Sequence, residues 1–128
     1  MFIDLKHESL KELNFSINIG ETNELELESR YTFNIDYNKD MSSFIATFTH
    51  ETHDTKHNNE FNIFVKLVGY FVCEGITDST AKQEAHIQAY ILLFPYVQSI
   101  ISNLTMNAGL PPLMIPRANI TTDNIEVK

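Results

Sequence analysis

The segment "HETHDTKH" gathers His50, His53 and His57 with Glu51, Asp54 and, just beyond it, Glu60. Imidazole beside carboxylate is the donor set of a zinc site or of general acid–base chemistry. Zinc takes roughly four N, O or S ligands that converge within bond length. On a strand, however, His50 and His53 would point to opposite faces, so the segment reads as the solvated tip of a hairpin, with no metal. His86 in "KQEAHIQ" has Glu84 two residues before it and could act as a general base. No Ser, Cys or Gly-rich elbow is placed to use it, which makes it a helix-surface histidine. Cys73 lies on an apolar strand without a histidine near it in sequence, the setting of a buried inert thiol rather than a nucleophile. With no phosphate loop and no paired-carboxylate motif, we expect neither enzyme activity nor a cofactor. The alternative of another class is a small α+β ligand-binding protein or enzyme that uses His86 or the His50/His53/His57 cluster.

Whatever these residues do, the elements that position them belong to one domain, residues 1–128. Nine Phe and five Tyr in a chain that is 43% hydrophobic exclude a disordered protein and favour strands. A formal charge of −8, with no local Lys/Arg cluster, repels phosphate backbones and argues against nucleic acid. The same charge favours basic partners and keeps a chain with exposed apolar patches in solution. A single cysteine cannot form an internal disulfide. "MFIDLKHES" has neither the basic start nor the apolar run of an export signal, and no stretch reaches the about 18 apolar residues of a membrane span. We therefore expect a cytoplasmic protein without membrane insertion, in which the N-x-S/T sequons at Asn14, Asn103 and Asn119 are chance matches.

Leu13, Phe15, Ile17 and Ile19 alternate with polar residues, the pattern of a half-buried strand. After "GETNE", Leu25, Leu27, Tyr31, Phe33, Ile35 and Tyr37 all fall on odd positions, which predicts a long second strand. "NKDMS" is a hairpin turn, and "SFIATFTHET" gives a third strand with Phe44, Ala46 and Phe48 inward. "FNIFVKLVGYFVCEGI" is a fourth, apolar on both faces from Ile63 to Cys73. Such a strand is expected to be covered twice, by the chain's own helices on one side and by a neighbouring subunit on the other. Gly69 in its middle marks a bulge or a close approach. "TDST" then caps a helix that keeps the 3.6-residue period from Ala85 to Leu104 and stops at Gly109. Pro95 interrupts it, which predicts a kink or two helices end to end. The fold class is thus α+β, a four-stranded antiparallel sheet followed by a Pro-kinked long helix packed on one face.

One stretch of helix is little cover for a one-sided sheet, and the surplus apolar residues imply oligomer contacts or a binding groove. "GLPPLMIPRANI" adds to them: its prolines hold it extended at low entropy cost, so that Leu110, Leu113, Met114 and Ile115 form a fixed apolar lip.

Read as one piece, "AYILLFPYVQSIISNLTMNAGLPPLMIPRANI" resembles the SecB family of protein-export chaperones. Leu92, Leu93, Phe94, Pro95 and Tyr96 match the centre of that family's motif, and Ile100 or Ile101, Gly109, Pro112, Pro116 and Asn119 follow in register. "LKELNFSIN" is similar to the family's first strand, and the fourth strand shares Phe61, Val65, Gly75 and Ile76 with it. The resemblance implies an ATP-independent holdase for unfolded preproteins, a homotetramer built as a dimer of dimers that hands clients to the translocase motor. It implies a client groove involving Phe61, Tyr96, Leu110, Leu113 and Ile115, and oligomer contacts at Ile63, Val65, Leu67, Ile100 and Leu104.

The departures from the family pattern are specific. Of the acids through which the family docks the motor, Glu12 matches one; Ser16 and Phe64 stand at two others, and Asn62 at a leucine position. The family's Arg after Pro-Tyr-x is here Gln98. After the lip a second helix should follow, but "ITTDNIEVK" is about one helix short and alternates like a strand, so that helix is expected to be reduced or absent. Relatives of this divergent kind include chaperones dedicated to the antitoxin of a toxin–antitoxin pair. A third reading is an oligomeric adaptor that kept the fold without general client binding.

Overall fold

Among the described residues, strands β1 (Phe2–Ile17), β2 (Leu27–Tyr37), β3 (Ser43–Asp54) and β4 (Phe61–Glu74) pair into one antiparallel sheet in the order β1-β4-β3-β2, and one long helix, α1 (Ser79–Asn107), packs on β1, β3 and β4. The computed structural model describes residues 1–18, 26–56, 61–118 and 120. The expected α+β architecture is the one observed. The expectation that a second helix is reduced or absent falls on residues 121–128, which lie outside the described residues.

Strand β1, Phe2–Ile17, begins eleven residues before the alternation in the sequence becomes regular. Two register shifts explain why, one between Leu5 and His7 and one between Leu10 and Glu12. Each inserts an extra residue, and each extra residue reverses the side-chain alternation. Ile3, Leu5, Leu10, Leu13, Phe15 and Ile17 all pair with odd-numbered residues of β4 and so lie on the same face of the sheet.

Strand β2, Leu27–Tyr37, pairs with β3, Ser43–Asp54, and its odd residues face those of β3 that are buried. The turn between them is held by Asn38, whose Oδ1 accepts from the amides of Ser42 at 2.9 Å and Ser43 at 3.1 Å. Because β3 continues to Asp54, the segment at residues 50–54 is strand and not the solvated tip expected. His50 and Asp54 are buried on the helix-facing side. His57 and Glu60 lie outside the described residues.

Strand β4, Phe61–Glu74, buries every odd residue except Gly69 as a side chain, and Gly69 is the point of closest approach. A Cβ there would stand 2.8 Å from Leu93 Cδ2 and 2.9 Å from Phe71 Cε1. Of the two alternatives, the close approach is what the glycine serves; the bulges are in β1.

Helix α1, Ser79–Asn107, is capped by Asp78, which accepts the Ala81 amide at 2.8 Å. Ala85, Ala89, Leu93, Val97, Ile101 and Thr105 recur every four residues and bury one seam against the sheet. Pro95 lies inside one continuous helix rather than between two. Its ring is on the exposed side, and the carbonyl that it deprives of a partner belongs to the exposed Ile91. The helix ends in a Schellman motif: Gly109, with φ of 81°, donates to Met106, and Leu110 donates to Thr105. By length and composition α1 is apolar enough to cross a membrane, which the residue count had not suggested. Its buried seam identifies it as the core helix of this sheet.

Candidate functional site

After Gly109 the chain turns back and runs along α1, held by polar side chains of the helix. Gln98 Nε2 donates to the Leu113 carbonyl at 2.9 Å, and Gln98 Oε1 accepts the Ile115 amide at 2.8 Å. One side-chain amide thus pairs with the tail as a neighbouring strand would. Ser102 Oγ also donates to the Leu113 carbonyl, and Thr105 Oγ1 accepts the Leu113 amide at 2.9 Å. Farther on, the Ala118 amide donates to the Tyr90 hydroxyl at 2.9 Å. Leu110, Leu113 and Ala118 pack on the core, and Ile115 is buried in it.

Between this tail and the sheet lies a cavity of about 190 Å³, lined by Ser29, Arg30, Tyr31, His50, Tyr90, Pro116 and Ala118. Its wall is aromatic. Tyr90 stacks on Phe48 with centroids 5.2 Å apart, meets Phe33 edge-on at 5.7 Å, and touches Tyr31 at 5.5 Å. At the polar end Ser29 Oγ is 2.7 Å from Thr52 Oγ1, which is 2.8 Å from His50 Nε2. Burial pushes the His50 imidazole down to about 4, so it is neutral at ordinary pH. Burial also raises the Tyr90 hydroxyl. Nothing in this chain of hydroxyls and imidazole activates a nucleophile or presents an oxyanion hole. It satisfies buried polar atoms at the end of an apolar hollow.

The expected groove residues do not converge. Tyr96 is exposed on the side of α1 turned from the sheet, whereas Phe61 is buried on the helix-facing side of β4, edge-to-face with Phe15. Leu110, Leu113 and Ile115 are together in the tail. Ile63, Val65 and Leu67, expected at an oligomer contact, are at most 1% exposed under the chain's own helix and have no surface to offer a second subunit. The half-buried side of β4 is the even one, with Phe64, Val68, Tyr70 and Val72. Ile100 and Leu104 are half-buried on the flank of α1.

Glu12, Ser16, Asn62 and Phe64 do share one face, the outer one, where Glu12 is opposite Lys66 and Ser16 opposite Asn62. His50 and His53 point to opposite faces as expected, with His53 on the outer side between Glu28 and Glu51 at 3.8 Å each. Among the described residues no three His, Cys, Asp or Glu side chains group as metal ligands. His86 is not a simple surface group: it packs edge-on against Phe33 at 4.9 Å, and burial lowers its pKa. Cys73 is buried, donates to the Met41 carbonyl at 3.3 Å, and is raised by desolvation.

Two features escaped the sequence reading. One is the side of α1 away from the sheet, where Ile91, Leu92, Tyr96 and Met106 are exposed. The other is Gln98, which stood out only as a departure from a motif. The useful signal was the row Gln98, Ser102 and Thr105, polar residues one helical turn apart beside a segment that cannot pair with a strand.

Fold and surface together define an α+β protein with an apolar hollow beside an edge strand and uncovered apolar side chains on its helix. The sequence profile of the family described as preprotein translocase subunit SecB matches residues 25–122. The chain belongs to the SecB family. An uncharacterised protein of Methanocaldococcus jannaschii is 32% identical over 119 residues, which cover 87% of this chain and 75% of that one. The protein-export protein SecB of Neorickettsia sennetsu is 36% identical over 55 residues, 43% of this chain but 34% of that protein. Among solved structures, a Mycobacterium tuberculosis SecB-like chaperone in complex with a ChAD peptide from the HigA1 antitoxin has the same fold. Its TM-score is 0.71 over 89% of both chains, at 15% identity.

Proposed function

We propose that this chain is an ATP-independent SecB-like holdase that binds non-native polypeptide in extended form, acting as one domain in the cytoplasm with no catalytic step. The observation that carries this is the position of the aromatic cavity beside β2. β2 is at the sheet's edge, and among the described residues no strand pairs its far side. An extended chain can pair with such an edge and drop a side chain into the hollow. Burying one such side chain is worth about 1.5–3 kcal/mol, so grip comes from repetition along the client and selects for being unfolded. The exposed side of α1, with Ile91, Leu92, Tyr96 and Met106, suits contact with further copies of the chain, as in a dimer of dimers. Docking to the translocase motor would rest on Glu12 alone among the expected acids, and clients would be preproteins.

A second reading has its own support. The solved structure of the same fold contains an antitoxin peptide, and a chaperone dedicated to one antitoxin would use the same cavity for one sequence.

The test is aggregation of a reduced, unfolded client followed by light scattering without nucleotide, comparing wild type with Tyr31→Ser at the cavity wall. Suppression by wild type and its loss in the variant are expected. No suppression by wild type at several-fold excess rejects the general holdase. Under that result, tight binding of an antitoxin-derived peptide would establish the dedicated form.

A further inference from the structure

The tail is fastened unequally along its length. At Leu113 and Ile115 four hydrogen bonds from Gln98, Ser102 and Thr105 converge, and the Ile115 side chain is buried. Beyond Ile115, Pro116 and Arg117 are exposed, and the bond from Ala118 to Tyr90 is the one that ties residues 116–118 to the helix among the described contacts. These same residues, through Pro116 and Ala118, form one wall of the cavity. The Tyr90 ring cannot follow them outward, because it is fixed between Phe48, Phe33 and Phe94.

We propose that residues 116–118 are a gate over the cavity and that the Tyr90 hydroxyl is its latch. The gate admits one aromatic side chain of an extended polypeptide by giving up one hydrogen bond. This rests on the polypeptide-binding reading above and adds to it which side chain is taken and what controls entry. The size fits: an apolar cavity of about 150 Å³ holds one benzene, and this one is about 190 Å³. The chemistry fits a ring with a polar edge, since Tyr31, Tyr90 and Pro116 offer faces while Ser29 and His50, bridged behind the wall by Thr52, stand at the polar end. Ile115 is the fixed end of the gate, so opening leaves the Gln98 pairing intact.

Tyr90→Phe removes the hydroxyl and keeps the ring. Loss of one neutral hydrogen bond shifts the balance between open and closed about two- to tenfold. Hydrogen exchange at the Ala118 amide should accelerate by that factor while the Ile115 amide is unchanged. Association of fluorescein-labelled, reduced and carboxymethylated lactalbumin, followed by anisotropy, should accelerate equally. Ala118→Pro removes the donor from the tail side and should reproduce the faster association, which keeps the test available should Tyr90→Phe fold poorly. Equal association rates in wild type and both variants overturn the gate. Unchanged exchange at Ala118 with normal client binding overturns the latch and leaves the holdase reading standing. Faster exchange in a protein that binds no client supports the latch and removes that reading.

Discussion

Leu93 occupies the space that a side chain at Gly69 would need: the Leu93 Cδ2 lies 2.8 Å from where that Cβ would stand. The helix seam and the central strand therefore meet at one interlocked pair. Gly69→Ala should cost about 1–3 kcal/mol by overpacking. Leu93→Ala alone should cost about 2–5 kcal/mol as a cavity. The double variant should lose less than the sum, with a coupling of about 0.5–3 kcal/mol measured by urea unfolding. Strict additivity would mean that the two residues do not compete for one space.

Gln98 holds the tail through both ends of its amide. Gln98→Glu keeps the shape and the acceptor but sets a carboxylate against the Leu113 carbonyl. We expect a loss of about 1–3 kcal/mol and faster proteolytic cleavage between residues 109 and 118, compared by denaturant midpoint and by limited digestion.

His50 gives the chain a defined acid sensitivity. Its folded pKa, about 4, is below the unfolded 6.5, because burial disfavours the charged ring. Between these values the unfolded chain binds a proton that the folded chain refuses, so stability falls as pH falls. It is fully present above pH 6.5 and lost progressively toward pH 4. His86 shifts in the same direction for the same reason. The urea midpoint of wild type should therefore drop across this window more steeply than that of His50→Gln.

Leu92 and Tyr96 lie one turn apart on the uncovered side of α1. Introducing charge by Leu92→Asp with Tyr96→Asp should leave helix content unchanged and lower the mass measured by light scattering. A wild type already monomeric at micromolar concentration would remove the oligomer proposal.

Much of this architecture was legible in the sequence because period and punctuation agreed. The odd register of β2, the turn at Asn38, the Asp78 cap and the stop at Gly109 each follow from local chemistry. β1 was legible only from Leu13 onward, since two bulges reset its alternation at places no residue type announces. β3 ran past its expected end because His50, Thr52 and Asp54 are polar yet buried, satisfied by Ser29 and by the amides of Glu26 and Lys56. The site was less legible for a related reason. A strand that is apolar on both faces does not say which face the helix will cover, so Ile63, Val65 and Leu67 were assigned outward. The cavity joins residues from β2, β3, α1 and the tail, which meet only once the chain is folded.

The setting of Tyr90 also supplies an optical probe. With five Tyr and no Trp, the near-ultraviolet spectrum of this chain is a tyrosine spectrum. Tyr90, rigid against Phe48 and hydrogen-bonded to the tail, should dominate its circular dichroism. Entry of a side chain beside that ring should register without any added label, and in a client free of tyrosine and tryptophan the whole signal would belong to the host.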